Sequence, residues 1–208
     1  MASGSLLAGR MLNLLERTIA AMSDLQRVKV KLVGRRPIMF DRYPGDNNTK
    51  LAPEDKFYFD SEKHLVLPTL NLFSMLTAEN TKSACRMFFG KQWQRIAHGI
   101  KSCVDFEPAD FIPICDENGP IKFTGFNDRI QALAAVARVK KGNMAIPNPT
   151  TRPYIKTPWS VEFTMIYVPN NDATLSNIRQ AFQQGGTLGL GSFRPFFGTY
   201  ALDKWDAE

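Results

Sequence analysis

The most informative stretch of the sequence reads Gly185-Gly186-Thr187-Leu188-Gly189-Leu190-Gly191-Ser192-Phe193-Arg194-Pro195-Phe196-Phe197-Gly198. It holds five glycines in fourteen residues, beside one arginine and three phenylalanines. Glycine lets a backbone enter left-handed conformations and lets a ligand approach main-chain N–H groups without a side chain in the way. Fourteen residues is long for a plain return between two elements, so we expect a binding loop. The alternative is a tight turn whose phenylalanines lie in the core.

The elements on either side of this glycine-rich loop are the best specified in the chain. Residues 159–167 alternate apolar and polar side chains, which predicts a strand, and residues 169–172 turn the chain. A helix follows, capped by Asp172 or Thr174 and ended by the first glycine of the loop. Residues 199–205 form a last strand. This order is half of a ferredoxin-like α+β sandwich, an antiparallel sheet with helices on one face.

The first strand is predicted by the strict alternation of residues 28–32, which places valines and a leucine on one face and two lysines on the other. Residues 34–37 end this strand, and residues 43–53, rich in proline, glycine and asparagine, form a loop. We expect these segments to belong to a single α+β domain that spans residues 28–208.

The middle of the chain is less regular. Residues 57–67 predict a short hairpin, and a helix opens after Pro68 with Thr69 as N-cap and runs to about Phe89. Prolines break residues 101–124 into short strands and turns. Residues 129–141 are alanine-rich like a helix and then alternate like a strand, so we expect a short helix that runs into a strand.

Residues 1–27 are predicted to form a helical arm ahead of the domain. Apolar residues recur at helical spacing between positions 6 and 25, which is typical of an amphipathic helix. Two arrangements fit the pattern equally: the helix folds back on its own core, or it docks on a neighbouring subunit.

Composition bounds the class of protein. The 208 residues carry 26 lysines and arginines against 20 acids, a net charge of +6, which permits an acidic partner such as nucleic acid without demanding one. The three cysteines lack Cys-x-x-Cys spacing, so we expect no disulfide framework, metal or cofactor. No continuous apolar run approaches the roughly 20 residues that span a bilayer, so we expect a cytoplasmic protein without membrane contact.

The glycine-rich loop matches neither familiar nucleotide fingerprint. A P-loop needs a Gly-Lys-Ser/Thr ending, and the dinucleotide pattern needs a glycine where Arg194 stands and a strand, not a helix, before it. Because the loop follows a helix C-terminus, the positive end of that helix cannot hold a phosphate there. An anion at this loop would be bound by backbone amides and by Arg194.

The loop resembles the glycine-rich loop of the RAMP superfamily of CRISPR-associated proteins, which also lies between the last helix and the last strand. It is similar as well to a Gly-Leu-Gly-x-Phe-Arg-Pro signature in related uncharacterised phage and prophage proteins, here Gly189-Leu190-Gly191-Ser192-Phe193-Arg194-Pro195. The resemblance touches most of residues 28–205 through three further stretches, residues 34–39, the helix after Pro68, and Arg152-Pro153. The loop departs from the usual RAMP closure, Gly-x-Gly, by closing on Gly198-Thr199-Tyr200.

RAMP proteins have an RRM-like ferredoxin core and bind RNA, so the resemblance implies this fold and a surface for single-stranded RNA or DNA. That surface would combine the open sheet face, the glycine-rich loop and basic loops, and would stack bases on aromatic rings. The implied contacts are Lys29, Lys31, Arg35, Arg36, Arg42, Arg138, Lys140, Lys141, Arg152, Gly189, Gly191, Phe193 and Arg194, with Tyr200 as a second candidate for stacking.

We therefore expect a non-catalytic protein that polymerises along a strand, as a homo-oligomer or as a subunit of a larger RNA-guided complex, in a bacterial or phage-infected cell. Catalysis gains little support, because His64 and His98 lack metal-ligand spacing and lie away from the first strand and the loop. One alternative is a viral scaffold or interaction module that self-assembles or mimics a host subunit. A metal-independent RNA-processing enzyme is a third hypothesis.

Overall fold

A computed structural model describes residues 25–46, 49–79, 81–141 and 144–207. The strands in these ranges are β1 (Gln26–Gly34), β2 (Ile38–Met39), β3 (Val66–Pro68), β4 (Val104–Glu107), β5 (Phe111–Asp116), β6 (Gly119–Pro120), β7 (Ile130–Lys141), β8 (Met144–Ile155), β9 (Ser160–Tyr167) and β10 (Tyr200–Ala207). The helices are α1 (Thr69–Thr77), α2 (Ala84–Phe88), α3 (Trp93–Cys103) and α4 (Leu175–Gly185).

Seven strands form one antiparallel sheet in the order β10-β1-β9-β5-β3, with β4 also paired to β9 and β6 to β5. The alternation in β1 sets its orientation, because Val28, Val30 and Leu32 are fully buried while Lys29 and Lys31 lie on the opposite face. β9 buries every second residue in the same way. The predictions of these two strands are confirmed.

Helices pack on the buried face of this sheet. The ring of Phe182 in α4 lies 5.9 Å from Phe163 of β9 and 5.8 Å from Trp205 of β10. Phe106 of β4 continues the cluster to α1, where its ring lies 4.8 Å from Phe73. The protein is therefore a mixed α/β structure with a helix-covered antiparallel sheet, as predicted at that level.

A second sheet joins three strands in the order β2-β8-β7. β7 and β8 form a hairpin that pairs along its full length, from Ile130 opposite Ile155 to Lys141 opposite Met144. Leu133 is 42% exposed and Val136 60% exposed on this hairpin. Its base lies beside β2, which directly follows the turn after β1.

The prediction of a helix at the start of residues 129–141 is wrong. Every residue from Ile130 to Lys141 pairs with β8. Alanine favours a helix by only a few tenths of a kcal/mol per residue over most other residues, roughly the size of a single cross-strand side-chain contact. A twelve-residue partner strand therefore decides the conformation.

The helix predicted to run to Phe89 ends at Thr77 instead. Ala78 adopts an extended backbone with ψ of 135°, and α2 starts anew after Ser83, whose side chain caps it. No pattern predicted α3. The hairpin predicted for residues 57–67 is reduced to one isolated bridge ahead of β3.

Thr69 is not the N-cap of α1. Pro68 holds that position, and the Thr69 hydroxyl donates a hydrogen bond to the carbonyl of Ala109 at 2.6 Å. Pro68 is the last residue with an extended backbone, so Thr69 is already inside the helix and its hydroxyl is used by the chain before β5.

The C-terminal elements follow the sequence closely. Of the two predicted caps of α4, Thr174 is confirmed: its side chain accepts from the Asn177 N–H at 3.2 Å, and the Asn177 side chain accepts from the Thr174 N–H. α4 ends at Gly185 as predicted, and β10 follows the loop. Of the arm predicted for residues 1–27, residues 1–24 lie outside the described residues, and β1 begins at Gln26. Within the described ranges no helix is long and apolar enough to cross a membrane.

Candidate nucleic-acid interface

The glycine-rich loop is held in a defined shape by backbone hydrogen bonds. The Leu190 N–H donates to the Gly198 carbonyl at 2.9 Å, which closes the loop on itself. Ser192 and Gly198 donate to the carbonyls of Met39 and Pro37 at 2.8 and 2.7 Å, which dock the loop on β2. Backbone φ is positive at Gly189, Gly191, Phe193 and Gly198. Such φ values are why this path needs glycines.

The phenylalanines of the loop are not a core cluster. Phe193 is 39% exposed and Phe196 70% exposed, whereas the buried apolar residue of the loop is Leu190. The alternative of a tight turn with buried phenylalanines is therefore wrong for these two rings. The loop presents aromatic surface to solvent.

Trp159 fixes the turn that carries Arg35 and Arg36. Its indole Nε1 donates to the Arg36 carbonyl at 2.7 Å, and its ring packs on Gly34, where an added Cβ would overlap it. The N–H groups of Arg35 and Arg36 both donate to the Thr199 carbonyl at the end of the loop. The two exposed arginines are thereby placed beside the glycine-rich loop.

Two aromatic contacts attach the loop to the base of the hairpin. The Arg152 guanidinium carbon lies 5.2 Å from the centroid of the Phe193 ring, within the range of a cation–π interaction. The Phe197 ring lies 5.8 Å from Tyr154. Arg152 and Tyr154 are both in β8, so β8 and the loop form one continuous surface.

Arg152 belongs to an ionic cluster of two buried cations and one exposed carboxylate. Its Nε donates to Asp41 Oδ2 at 2.7 Å, and Lys56 Nζ lies 3.2 Å from Asp41 Oδ1 and donates to Thr150 Oγ1 at 2.6 Å. Arg152 is 7% exposed and Lys56 8% exposed, unusually low for these residue types. One carboxylate thus faces two buried cations.

This cluster lines a cleft of about 460 Å³ between residues 41–56 and β8. Arg42 and Lys50 also line the cleft, and Asp41 is its one carboxylate among the lining residues that the structure describes. Asp46, Glu54 and Asp55 belong to the same stretch of chain but do not line the cleft.

We call the cations that meet around the cleft and the loop the basic edge. They come from four separate stretches of the sequence. Arg36 contacts the loop at the Pro195 carbonyl, and Arg152 contacts both Phe193 of the loop and Asp41 of the cleft, so the loop and the cleft adjoin. The basic edge consists of Arg36, Arg42, Lys50, Lys56, Arg152 and Arg194.

Arg194 sits inside the loop in a partly buried position. Its Nη1 donates a long hydrogen bond of 3.5 Å to the Gly189 carbonyl, and desolvation by burial lowers the pKa of the guanidinium. Among the described residues no carboxylate forms an ion pair with Arg194. Its charge is therefore available to an anion that approaches the loop.

The open face of the sheet has a different character. Lys29 and Lys31 lie on it, but the neighbouring strands add four acids and one lysine, and Arg27 pairs with Glu107. The charged residues of this face are Arg27, Lys29, Lys31, Lys204, Asp105, Glu107, Glu162 and Asp206. In the described parts of β1, β4, β9 and β10 this face bears no aromatic ring. It offers little for base stacking or phosphate attraction.

The predicted site residues thus divide into three groups. Arg35, Arg36, Arg42, Arg152, Gly189, Gly191, Phe193 and Arg194 lie at or beside the basic edge, and Lys29 and Lys31 lie on the sheet face. Arg138, Lys140 and Lys141 lie towards the far end of β7, with side chains outside the described part of the structure.

Tyr200 cannot stack on a base. The residue is 1% exposed, and its hydroxyl donates to the Phe182 carbonyl at 2.9 Å. The sequence places Tyr200 next to the loop, but β10 turns it inward, between the sheet and α4. The proposal of Tyr200 as a stacking residue is wrong.

Sequence reasoning missed Lys56, Lys50, Asp41 and Thr150. Lys56 follows two acids in an unremarkable polar stretch and becomes buried only because β8 packs against it. The signal that could have pointed to Asp41 is its position next to Arg42, directly after the buried run of residues 38–40.

The two histidines lie apart from the basic edge. His64 Nδ1 is 2.9 Å from Asp60 Oδ2 in the turn before β3. Burial opposes ionisation of Asp60, but hydrogen bonds from His64 and Glu62 outweigh it and lower its pKa. His98 is exposed on α3, 4.0 Å from Glu79.

Comparisons with known proteins address the fold. No protein-family model and no curated protein matches the chain. A solved structure is similar, a chain in the cryo-EM structure of the Type III-B Cmr-beta bound to cognate target RNA. The two chains share 15% identity with a TM-score of 0.57, over 99% of this chain and 67% of the other. The resemblance to RAMP proteins is therefore supported at the level of the fold.

Proposed function

We propose that this protein is a non-catalytic subunit that binds single-stranded nucleic acid along the basic edge. The observation that carries the proposal is the cleft lined by Arg42, Lys50, Lys56 and Arg152, in which Asp41 is the one carboxylate among the described lining residues, beside a loop that carries Arg194 and contacts Arg36. A surface of this kind attracts phosphates by releasing the counterions condensed on a strand. The open face of the sheet carries almost no net charge, so the proposed path of the strand does not include it.

Aromatic side chains beside the cations supply the second half of the mechanism. Phe193 and Phe196 are exposed in the loop, and Tyr43 is exposed on the cleft. A base can stack on such rings whatever its identity, at about 1–3 kcal/mol per base. Binding along the basic edge is therefore expected to be tolerant of sequence.

The strand order supports a ferredoxin-like, RAMP-type core. β10, β1, β9 and β4 lie side by side, all antiparallel, with helices between β1 and β4 and again between β9 and β10. That is the βαββαβ arrangement of a ferredoxin-like sheet. The neighbour in fold comes from an assembly bound to target RNA, which supports a nucleic-acid partner for this chain as well.

The long hairpin supports assembly with other chains. Leu133 and Val136 are large apolar residues left exposed on β7. We propose that subunits of this protein follow one another along a strand, or join a larger complex, in the cytoplasm of a bacterial or phage-infected cell. A scaffold that assembles without nucleic acid is the second candidate, because the same exposed residues favour it.

The binding test measures fluorescence anisotropy of a labelled single-stranded oligonucleotide at two salt concentrations. With four phosphates neutralised, affinity falls about fifty-fold between about 50 and about 200 mM salt, at a slope of about −0.7 per phosphate. Arg194→Ala weakens binding and reduces the slope, whereas Arg179→Ala, an equal loss of charge on the exposed side of α4, leaves both nearly unchanged. No binding at low salt contradicts the proposal.

Size-exclusion chromatography with and without nuclease separates the two candidates. Assemblies that depend on a strand collapse to smaller species after digestion. Assemblies that survive digestion favour the scaffold. If the hairpin forms the contact between subunits, Leu133→Ser reduces both the strand-dependent and the strand-independent assembly.

A further inference from the structure

The cleft beside the glycine-rich loop contains more buried positive charge than its own carboxylate neutralises. Lys56 and Arg152 are both more than nine-tenths buried, and both use Asp41 as their ion-pair partner. Burying a charge without full compensation is costly, so an excess of this kind persists where a ligand supplies the missing anion.

Hydrogen-bond donors without a partner also indicate a missing acceptor. The Nη1 of Arg152 forms no hydrogen bond within the described residues, although it has almost no accessible surface of its own. Lys56 Nζ has three N–H donors, and its partners in the described structure are Asp41 and Thr150. Buried polar groups of native proteins are almost always paired, so the remaining donor of Lys56, which lines the cleft, marks a position for an acceptor.

The shape of the cleft sets the size of that acceptor. Its volume of about 460 Å³ suits a group of the size of one nucleotide. Arg42 and Lys50 line the cleft, and Pro44, Leu51, Pro53 and Pro149 add apolar wall. A lining that combines cations with apolar side chains fits a phosphate ester better than a small inorganic anion alone.

We propose that this cleft binds one phosphate group of a nucleic-acid strand, held by Lys56 and Arg152, with Asp41 fixing both side chains. The choice of a strand as the ligand rests on the proposed function, while the phosphate chemistry of the site does not. The cleft is then the one point along the basic edge where a phosphate is gripped by buried donors, and it sets the register of the strand.

The first test uses inorganic phosphate as the probe and melting temperature as the readout. A ligand that binds the native state raises its melting temperature by mass action. Wild-type protein melts higher in phosphate than in chloride of equal ionic strength, and Lys56→Met loses this difference. The variant is expected to fold, because Asp41 keeps Arg152 as its partner. The control is Lys91→Met, the same loss of charge at an exposed site before α3.

The second test uses the labelled oligonucleotide. Lys56→Met weakens strand binding about tenfold or more, the usual effect of losing a hydrogen bond between charged groups, and Lys91→Met changes it about twofold or less. Equal effects of the two variants, with no phosphate-specific stabilisation of the wild type, overturn the inference while strand binding itself stands. If no strand binds at all, the proposed function fails, and the melting experiment alone decides whether the cleft is a phosphate site.

Discussion

The Arg152 guanidinium carbon lies 5.2 Å from the Phe193 ring, and this contact joins two segments that are 41 positions apart in the sequence. Phe193 holds a left-handed backbone with φ of 61°, which aims its ring back at β8. The cleft and the glycine-rich loop are therefore one structural unit. We expect a substitution in the loop to alter the cleft, and a substitution in the cleft to alter the loop.

Removal of the Phe193 ring tests this contact. We expect Phe193→Ala to lower the free energy of unfolding by about 1–2 kcal/mol, because the cation–π contact with the buried Arg152 guanidinium is lost. Phe196→Ala removes an equal ring that is 70% exposed and is expected to cost less than about 0.5 kcal/mol. Urea unfolding of the two variants compares them directly. Equal losses of unfolding free energy would mean that the Phe193 ring contributes no more to stability than the Phe196 ring does.

The backbone of the loop is tested at Gly198. Its φ is +74°, and an added Cβ would overlap the carbonyl of Leu190, so Gly198→Ala must open the loop. We expect a loss of more than about 3 kcal/mol, which combines backbone strain and overlap. Gly45→Ala has a φ of +101° but open space around the new methyl, so it is expected to cost about 1–2 kcal/mol. The order of the two urea midpoints is the measurement, and a reversed order contradicts the loop geometry.

The buried hydroxyl of Tyr200 separates stability from binding. Tyr200→Phe removes its hydrogen bond to the Phe182 carbonyl and is expected to cost about 1 kcal/mol of unfolding free energy. Affinity for a single strand should stay the same, because the ring has no access to solvent. A loss of affinity at unchanged stability would restore Tyr200 as a stacking residue.

Thiol reactivity reports the helix-covered core. Desolvation by burial raises the pKa of Cys85 to about 12 and that of Cys103 to about 11, so at pH 8 almost no thiolate forms at either. We expect iodoacetamide to modify Cys115, which is half-buried on β5, well before the other two. Mass spectrometry of the native and the urea-unfolded protein measures the three rates. Fast native modification of Cys85 would contradict its burial.

Local pattern was enough for the elements that alternate or repeat clearly. β1, β9 and α4 follow from period-2 and period-3.6 spacing, and Thr174 and Gly185 bound α4 because caps act within one turn. Local sequence pattern gave wrong predictions where a residue or strand distant in the sequence determines the local structure. β7 is a strand because β8 pairs with it, and the hydroxyl of Thr69 turns to a carbonyl forty residues away.

The candidate site was predictable only in part, for the same reason. The loop and Arg194 stand out in the sequence because glycines, phenylalanines and an arginine are neighbours there. The ion pair of Arg152 with Asp41 spans 111 positions, and that of Lys56 with Asp41 depends on the packing of β8 over a loop. No local spacing encodes such a pair, so the cleft becomes visible only in the folded chain.

Hydrogen–deuterium exchange with and without a single-stranded oligonucleotide locates the surface on which a strand binds. If a strand binds along the basic edge, amides of residues 186–199, 35–46 and 149–154 exchange more slowly in the complex, and those of α1 and α3 keep their rates. Protection confined to the helices, or an unchanged pattern at saturating oligonucleotide, would contradict the claim that the basic edge is the nucleic-acid interface.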